Sequence, residues 1–232
     1  MPLLGSAAML LSFDVAAEAV ADHDRWHTHE HLPERLSIPG FLRGTRWVAV
    51  QGAPRYMALY EVAGLSVLAS APYLERLNNP TPWTSRIMPH YRRMSRGFCS
   101  VLGSFGLGMG HSAALIRFRP SLQEPEKPHR WLLQEVLPGL PGLAGFGSAH
   151  LLQGTLAPAM TNEQRIRGAD GGVDSALIVT GYDGDAVAEV ARTTLGAANL
   201  ALHGASGAGH ALYRSDYSLA RAELDEVRKP RA

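Results

Sequence analysis

The chain has one cysteine, Cys99, and two lysines, Lys127 and Lys229, in 232 residues. A single cysteine excludes an intrachain disulfide and fits a reducing compartment. Its place in an apolar run predicts an inert buried thiol rather than a nucleophile. With lysine so scarce, 20 of the 22 basic residues are arginine, and the net charge is only +1. That balance excludes a dedicated polyanion-binding surface, so no nucleic-acid partner is expected. No apolar run is long enough to span a membrane, and Met1–Phe13 lacks the positive start of a signal peptide. The expectation is a cytoplasmic protein without a membrane partner. The glycines at 103, 106, 108 and 110 are not followed by G-K-[ST], so a linker is the better reading than a phosphate loop. No Ser-His-Asp or Cys-His constellation is legible. What is present is core material: 46% hydrophobic against 19% charged residues, which argues against disorder.

The densest chemistry lies in Asp22–Trp47, which holds four of the ten histidines and two of the four tryptophans. On a helical wheel, His23, His27, Glu30, His31 and Glu34 share one arc, and Trp26, His29, Leu32 and Leu36 the opposite one. The wheel therefore predicts a Trp/His29/Leu stripe against a sheet and a His/Glu face toward solvent or a cleft. Pro33 is expected to kink or restart the helix, and Ser37-Ile38-Pro39-Gly40 to end it. Three readings of the His/Glu face stay open: a solvated surface, an acid/base site, or a metal site. The acid/base reading expects a histidine pKa near neutrality, raised by a neighbouring carboxylate. The metal reading rests on His27-Thr28-His29-Glu30-His31, which spells H-x-x-E-H. Pro33 interrupts that helix and no third ligand is in view, so no metal is expected.

Strands are expected at Ala7–Phe13, Phe41–Gln51, Tyr56–Val62 and Phe98–Phe105, with helices between them at the His-rich stretch, Leu65–Leu77 and a piece opened by Thr81-Pro82-Trp83-Thr84. That is βαββαβ. The second half repeats it, with strands at Ala113–Phe118, Phe146–Gln153, Ala176–Tyr182 and His210–Ser218 and helices at His129–Leu137 and Asp185–Leu202. Pro39-Gly40-Phe41 to Gln51-Gly52 matches Pro141-Gly142-Leu143 to Gln153-Gly154 at a constant offset of 102. Expected units are therefore 1–107, carrying the candidate site, and 108–232. Residues 155–174 form a long polar insertion in the second unit, of the kind that serves as a functional lid or a disordered segment.

With H-x-P at His31-Leu32-Pro33 and P-G-F at Pro39-Gly40-Phe41, followed by a strand reaching Trp47, the first half resembles EthD-like proteins of the dimeric α+β barrel superfamily. The resemblance covers residues 7–105, and the second half by topology. It implies an α+β fold of two tandem ferredoxin-like βαββαβ repeats, with antiparallel sheets packed face to face and helices outside. The superfamily includes cofactor-free monooxygenases, muconolactone-type isomerases and haem-binding enzymes. The resemblance makes His31 the site candidate. With it we group His27, Glu34 and Glu30 as the catalytic set, and Trp47, Tyr60, Trp83, Arg46 and His90 as groups that could line a cleft. Arg86 is a further candidate for pairing an anionic substrate. The expected function is a cofactor-independent enzyme on a small apolar or aromatic oxygenated molecule, an isomerase or a monooxygenase working by histidine proton transfer. The alternatives are a small-molecule binder without turnover and a haem-binding protein. Expected partners are a small-molecule ligand and at most a second copy in a homodimer.

Overall fold

Ala7–Val15 (β1) buries both of its faces, which is why its apolar run carries no polar register. Met9 and Phe13 pack outward beneath helices, whereas Ala8 and Leu10 point into a separate core. The computed structural model describes residues 3–155, 161–168 and 170–227. Its other strands are Phe41–Gln51 (β2), Tyr56–Val62 (β3), Tyr91–Gly106 (β4), Ser112–Pro120 (β5), Phe146–Thr155 (β6), Ser175–Gly181 (β7) and Ala205–Ala220 (β8).

All eight pair antiparallel in one closed barrel, ordered β1-β3-β2-β8-β5-β7-β6-β4. Each half supplies four adjacent strands in the same internal order, its last strand beside its first. Closure comes from the two 16-residue strands. β4 pairs with β1 through Tyr91–Ser100 and with β6 through Phe98–Gly106. β8 pairs with β5 through its first part and with β2 through Leu212–Ala220. The two sheets face each other as expected, and they are also hydrogen-bonded along both edges, leaving no free edge between them. Sequence patterning starts these strands at Phe98 and His210. The arginine-rich and glycine-rich openings at residues 91–97 and 205–209 hide them, because neighbouring strands and not side-chain alternation hold those segments in place.

The barrel interior is packed with side chains from both halves, among them Leu10, Trp47, Met57, Cys99, Leu115, Ile178 and Tyr213. Cys99 is fully buried there, and burial pushes its thiol up to about 12, so it is the inert thiol expected. Two further cores lie outside the barrel, one under the helices of each half.

The helices of the first half are Val20–Trp26 (α1), Leu32–Leu36 (α2), Ala71–Asn78 (α3) and Pro82–Ile87 (α4). The second half adds Lys127–Trp131 (α5), Asn162–Arg167 (α6), Gly184–Arg192 (α7) and Ala197–Leu202 (α8), and Arg221–Val227 (α9) follows β8. The expected single helix Asp185–Leu202 is thus two, parted by a turn. Leu65–Leu77 likewise divides, a 3₁₀ stretch over Leu65–Ala69 preceding α3.

α1 and α2 are joined by a π turn, His27–His31, in which the Leu32 N–H donates to the His27 carbonyl five residues back. Pro33 has no N–H to offer the His29 carbonyl, and the helix absorbs that loss by widening one turn instead of breaking. A π turn recurs at Leu132–Val136 after α5. Tryptophan precedes each, Trp26 and Trp131, and glutamate holds the fourth position of each, Glu30 and Glu135.

Helix and sheet approach closely at Gly44 in β2, where a Cβ would lie 2.4 Å from Leu32 Cδ2 and 3.1 Å from the Tyr60 ring. Gly44→Ala is therefore expected to cost about 1–3 kcal/mol by overpacking, read as a fall in the denaturant midpoint.

Candidate functional site

The helical wheel is corrected by the structure on its central point. His29 is exposed, whereas His23, His27 and His31 are all buried against the sheet together with Trp26, Leu32 and Leu36. The wheel assumes a uniform α-helix. The π turn removes the drift that a spacing of four otherwise accumulates, and the three imidazoles form a ladder with ring centroids 5.5 and 5.4 Å apart.

Each rung has its own environment. The His23 Nδ1 lies 3.0 Å from Asp24 Oδ1, and Tyr91 Oη lies 3.3 Å from His23 Nε2. With Nδ1–H donated to the carboxylate, Nε2 accepts from the tyrosine. Tyr56 Oη donates to the same Asp24 oxygen at 2.8 Å. His27 Nε2 lies 3.3 Å from Tyr60 Oη. His31 stacks on Trp26, centroids 4.3 Å apart, and its Nδ1 is buried without a hydrogen-bond partner among the described residues, as is that of His27.

Burial lowers the pKa of His23, and the bond to Asp24 offsets part of the shift. His27 and His31 are lowered well below the usual value, first by burial, then by neighbouring cationic groups including Arg35. This corrects the expected near-neutral pKa. Glu34 turns to Arg35 and Arg76, at 3.6 and 3.9 Å, and its own pKa is raised by burial. Burial works against the Asp24 carboxylate as well, yet its bonds from His23 and Tyr56 outweigh that and hold its pKa below the ordinary range.

His31 and Tyr60 line a cavity of about 20 Å³ with Tyr91, Tyr73, Met9 and Met88 on the outer face of the first-half sheet. That is room for about one water. Its remaining wall comes from the other half. Glu163 and Arg167 of α6 close it, next to Arg35 and Arg96. Beyond α6, Gly171 exchanges backbone bonds with Met94 and Arg96 of β4, so the insertion lies across the first half as a strap. Of the expected insertion, 156–160 and 169 lie outside the described residues. Arg35, 1% exposed in its side chain, donates to Glu163 at 2.5 Å. Arg96 and Arg167 both reach Asp170, at 3.0 and 2.8 Å. Burial lowers the pKa of Arg35, but Glu163, Tyr73, Glu34 and Tyr60 together more than restore it.

The expected site residues thus separate. His31, His27 and Tyr60 come together. Trp47 lies inside the barrel, on the other side of the sheet. Arg46 is spent on Asp216 at 2.7 Å and on the Asp24 carbonyl. Glu30 accepts from Thr81 at 2.6 Å and from Trp26 at 3.1 Å, which ties the helix to α4. Trp83 donates to Asp22, Arg86 faces the same carboxylate at 3.3 Å, and half-exposed His90 faces Glu18 at 3.9 Å. Among the described residues no three His, Cys, Asp or Glu side chains are grouped to hold a metal. His23 was placed on the His/Glu arc but outside the catalytic set, and Asp24, Tyr91, Arg35, Arg96, Glu163 and Arg167 were not singled out from sequence. The spacing of His23, His27 and His31 was the one available signal, and the strap residues carry none. A larger cavity of about 330 Å³ opens at one barrel mouth beside Arg117, Arg119 and Tyr213, but it holds none of the ladder.

The solved structures of similar shape decide the fold. An anthrone oxidase-like protein superposes with a TM-score of 0.67 at 12% identity, over 97% of each chain. A chlorite dismutase from Candidatus Nitrospira defluvii gives 0.56 at 12% identity, over 95% of this chain and 94% of that one. A Lactobacillus acidophilus NCFM protein named for an inferred monooxygenase activity gives 0.57 at 9%, over 93% and 96%.

The chain has the dimeric α+β barrel fold.

No family model matches the sequence, and no curated protein does. In this dimeric α+β barrel the paired sheets of both halves belong to one chain, and no described helix is long and apolar enough to cross a membrane.

The buried histidines make stability pH-dependent. A histidine that stays neutral in the fold but takes a proton when unfolded costs nothing above about pH 6.5, and its cost grows as pH falls below that. His23, His27, His31, His129 and His150 are all lowered, His150 to about 3. His150 alone is expected to remove about 2 kcal/mol between pH 7 and pH 5. Urea midpoints across that range should fall steeply, and a flat profile would mean these imidazoles are solvated.

Proposed function

We propose that the cavity beneath the strap binds a small, largely apolar aromatic molecule carrying oxygen, and that His31 takes a proton from it without a cofactor. The observation that carries this is the buried ladder, whose His31 rung lines a cavity walled by tyrosine and methionine. Neutral imidazole is the proton-accepting form, and its lowered pKa keeps it so through physiological pH. Proton uptake there creates imidazolium beside a substrate carbanion, an ion pair in a site sheltered from water. The Tyr91–His23–Asp24 chain connects the cavity wall to a carboxylate that is 35% exposed, a route for proton exchange with solvent.

Oxygenation is favoured over isomerisation by the neighbours named for oxidase and monooxygenase activity. The name of one supplies a first substrate to test. Anthrone would lose a ring methylene proton to His31, and the carbanion would react with one O2 to give anthraquinone and one water. Oxygen uptake with anthrone, corrected for autoxidation, should follow that stoichiometry. Binding without any acceleration would favour the second reading, a small-molecule binder. Haem binding is the third reading, and its support is the shared shape of the chlorite dismutase. We also infer that the two halves are copies, on the offset-102 match, the paired strand order and the two π turns after tryptophan. Membership of the EthD-like group rests on His31-Leu32-Pro33 and Pro39-Gly40-Phe41.

A further inference from the structure

A wall of methionine, leucine and tyrosine is a costly place for three arginines, yet Arg35, Arg96 and Arg167 all line this cavity. Their side chains are 1%, 3% and 3% exposed. The strap answers them with two carboxylates, Glu163 and Asp170, themselves 3% and 6% exposed. Glu34 stands at the edge, 12% exposed and shared between Arg35 and the more exposed Arg76.

The donors are not used up. Arg35 gives Nη2 to Glu163, but Nη1 has no hydrogen bond among the described residues, a Glu34 carboxylate oxygen lying 3.6 Å away. Arg96 pairs its Nε with Asp170 at 3.0 Å, and its Nη2 is buried without a hydrogen-bond partner among the described residues. Each guanidinium thus keeps a nitrogen with which it can donate a charge-assisted bond to an anion.

From this we infer that the ligand carries a carboxylate or a comparable oxyanion, which Arg35 and Arg96 receive, and that the Glu163 carboxylate occupies that place while the strap is down. The inference rests on the reading of this cavity as the ligand site. It follows from the space available. About 20 Å³ admits nothing larger than water, so a ligand enters only as α6 moves away. When α6 moves, Glu163 leaves Arg35, and a buried guanidinium without a counter-ion is unstable. An anionic ligand removes that cost and a neutral one does not. Glu163 thus selects for charge, because only a ligand that replaces its carboxylate releases the strap without penalty.

The probes are 2-naphthoate and 2-naphthamide, equal in shape and different in charge. They are titrated into the full chain and read by tryptophan fluorescence, since Trp26 stacks on His31. Wild type should bind the naphthoate at least about tenfold more tightly than the amide. Glu163→Gln removes the internal pair that either probe must break, and should tighten both by a factor of about ten, with the naphthoate staying at least about tenfold ahead of the amide. Arg96→Gln keeps the test alive if that variant does not fold, and should weaken naphthoate about tenfold with no change for the amide. Equal binding of the two probes in wild type and in the folded variants overturns the inference and leaves an apolar cavity standing. No binding of either probe to any of these proteins defeats the cavity reading itself, and this inference with it.

Discussion

Arg35→Ala is expected to lower the stability of the fold by about 3–5 kcal/mol, measured by urea unfolding at pH 7. The guanidinium is buried against Glu163 and lies over the Tyr73 ring at 5.9 Å. Removing it leaves a buried carboxylate whose next cation is Arg167, 3.8 Å from the other oxygen. That contact recovers only part of the loss. Arg76→Ala is the control, since its side chain is 52% exposed and its pair with Glu34 spans 3.9 Å. It should change stability by no more than about 0.5 kcal/mol. If Arg35→Ala behaved like the control, the strap would not be docked on the first half as described.

His31→Gln should lower turnover by about a hundredfold or more, the usual contribution of general acid–base catalysis. The protein should stay folded. Glutamine preserves much of the volume under Trp26, and it removes an imidazole that burial keeps neutral in the fold. The variant should accordingly lose less stability than wild type between pH 7 and pH 5. The two readouts separate a catalytic group from a packing one: unchanged turnover in a folded variant would make this helix face scaffold.

Much of the architecture was legible because two signals reinforce each other. The β2–β3 hairpin follows from two apolar strands around Gly52-Ala53-Pro54-Arg55, and the same run from Pro-Gly to Gln-Gly recurs in the second half. Barrel closure was not legible at residue level, since strand extension beyond the apolar segments depends on partners distant in sequence. For the site, the H-x-P motif and the spacing of four pointed to His31 and His27. The wheel buried Trp26, Leu32 and Leu36 correctly but set His29 beside them and the other three imidazoles opposite, because a π turn lies outside its geometry. Glu30 and Glu34 sat on the right helix, but their side chains reach α4 and the arginines instead of the imidazoles. Glu163 and Arg167 had no sequence signal at all. They reach the cavity only because the second half lays its insertion over the first, a contact 128 residues long for Arg35 and Glu163.

The most direct test is a crystal structure of the protein with anthraquinone-2-carboxylate, which joins the ring system of the proposed product to the carboxylate inferred for the ligand. The account predicts density beside His31 and Tyr60, with α6 displaced and Glu163 withdrawn from Arg35. Density at the barrel mouth against Arg117 and Tyr213, with the cavity at His31 unchanged, would contradict it.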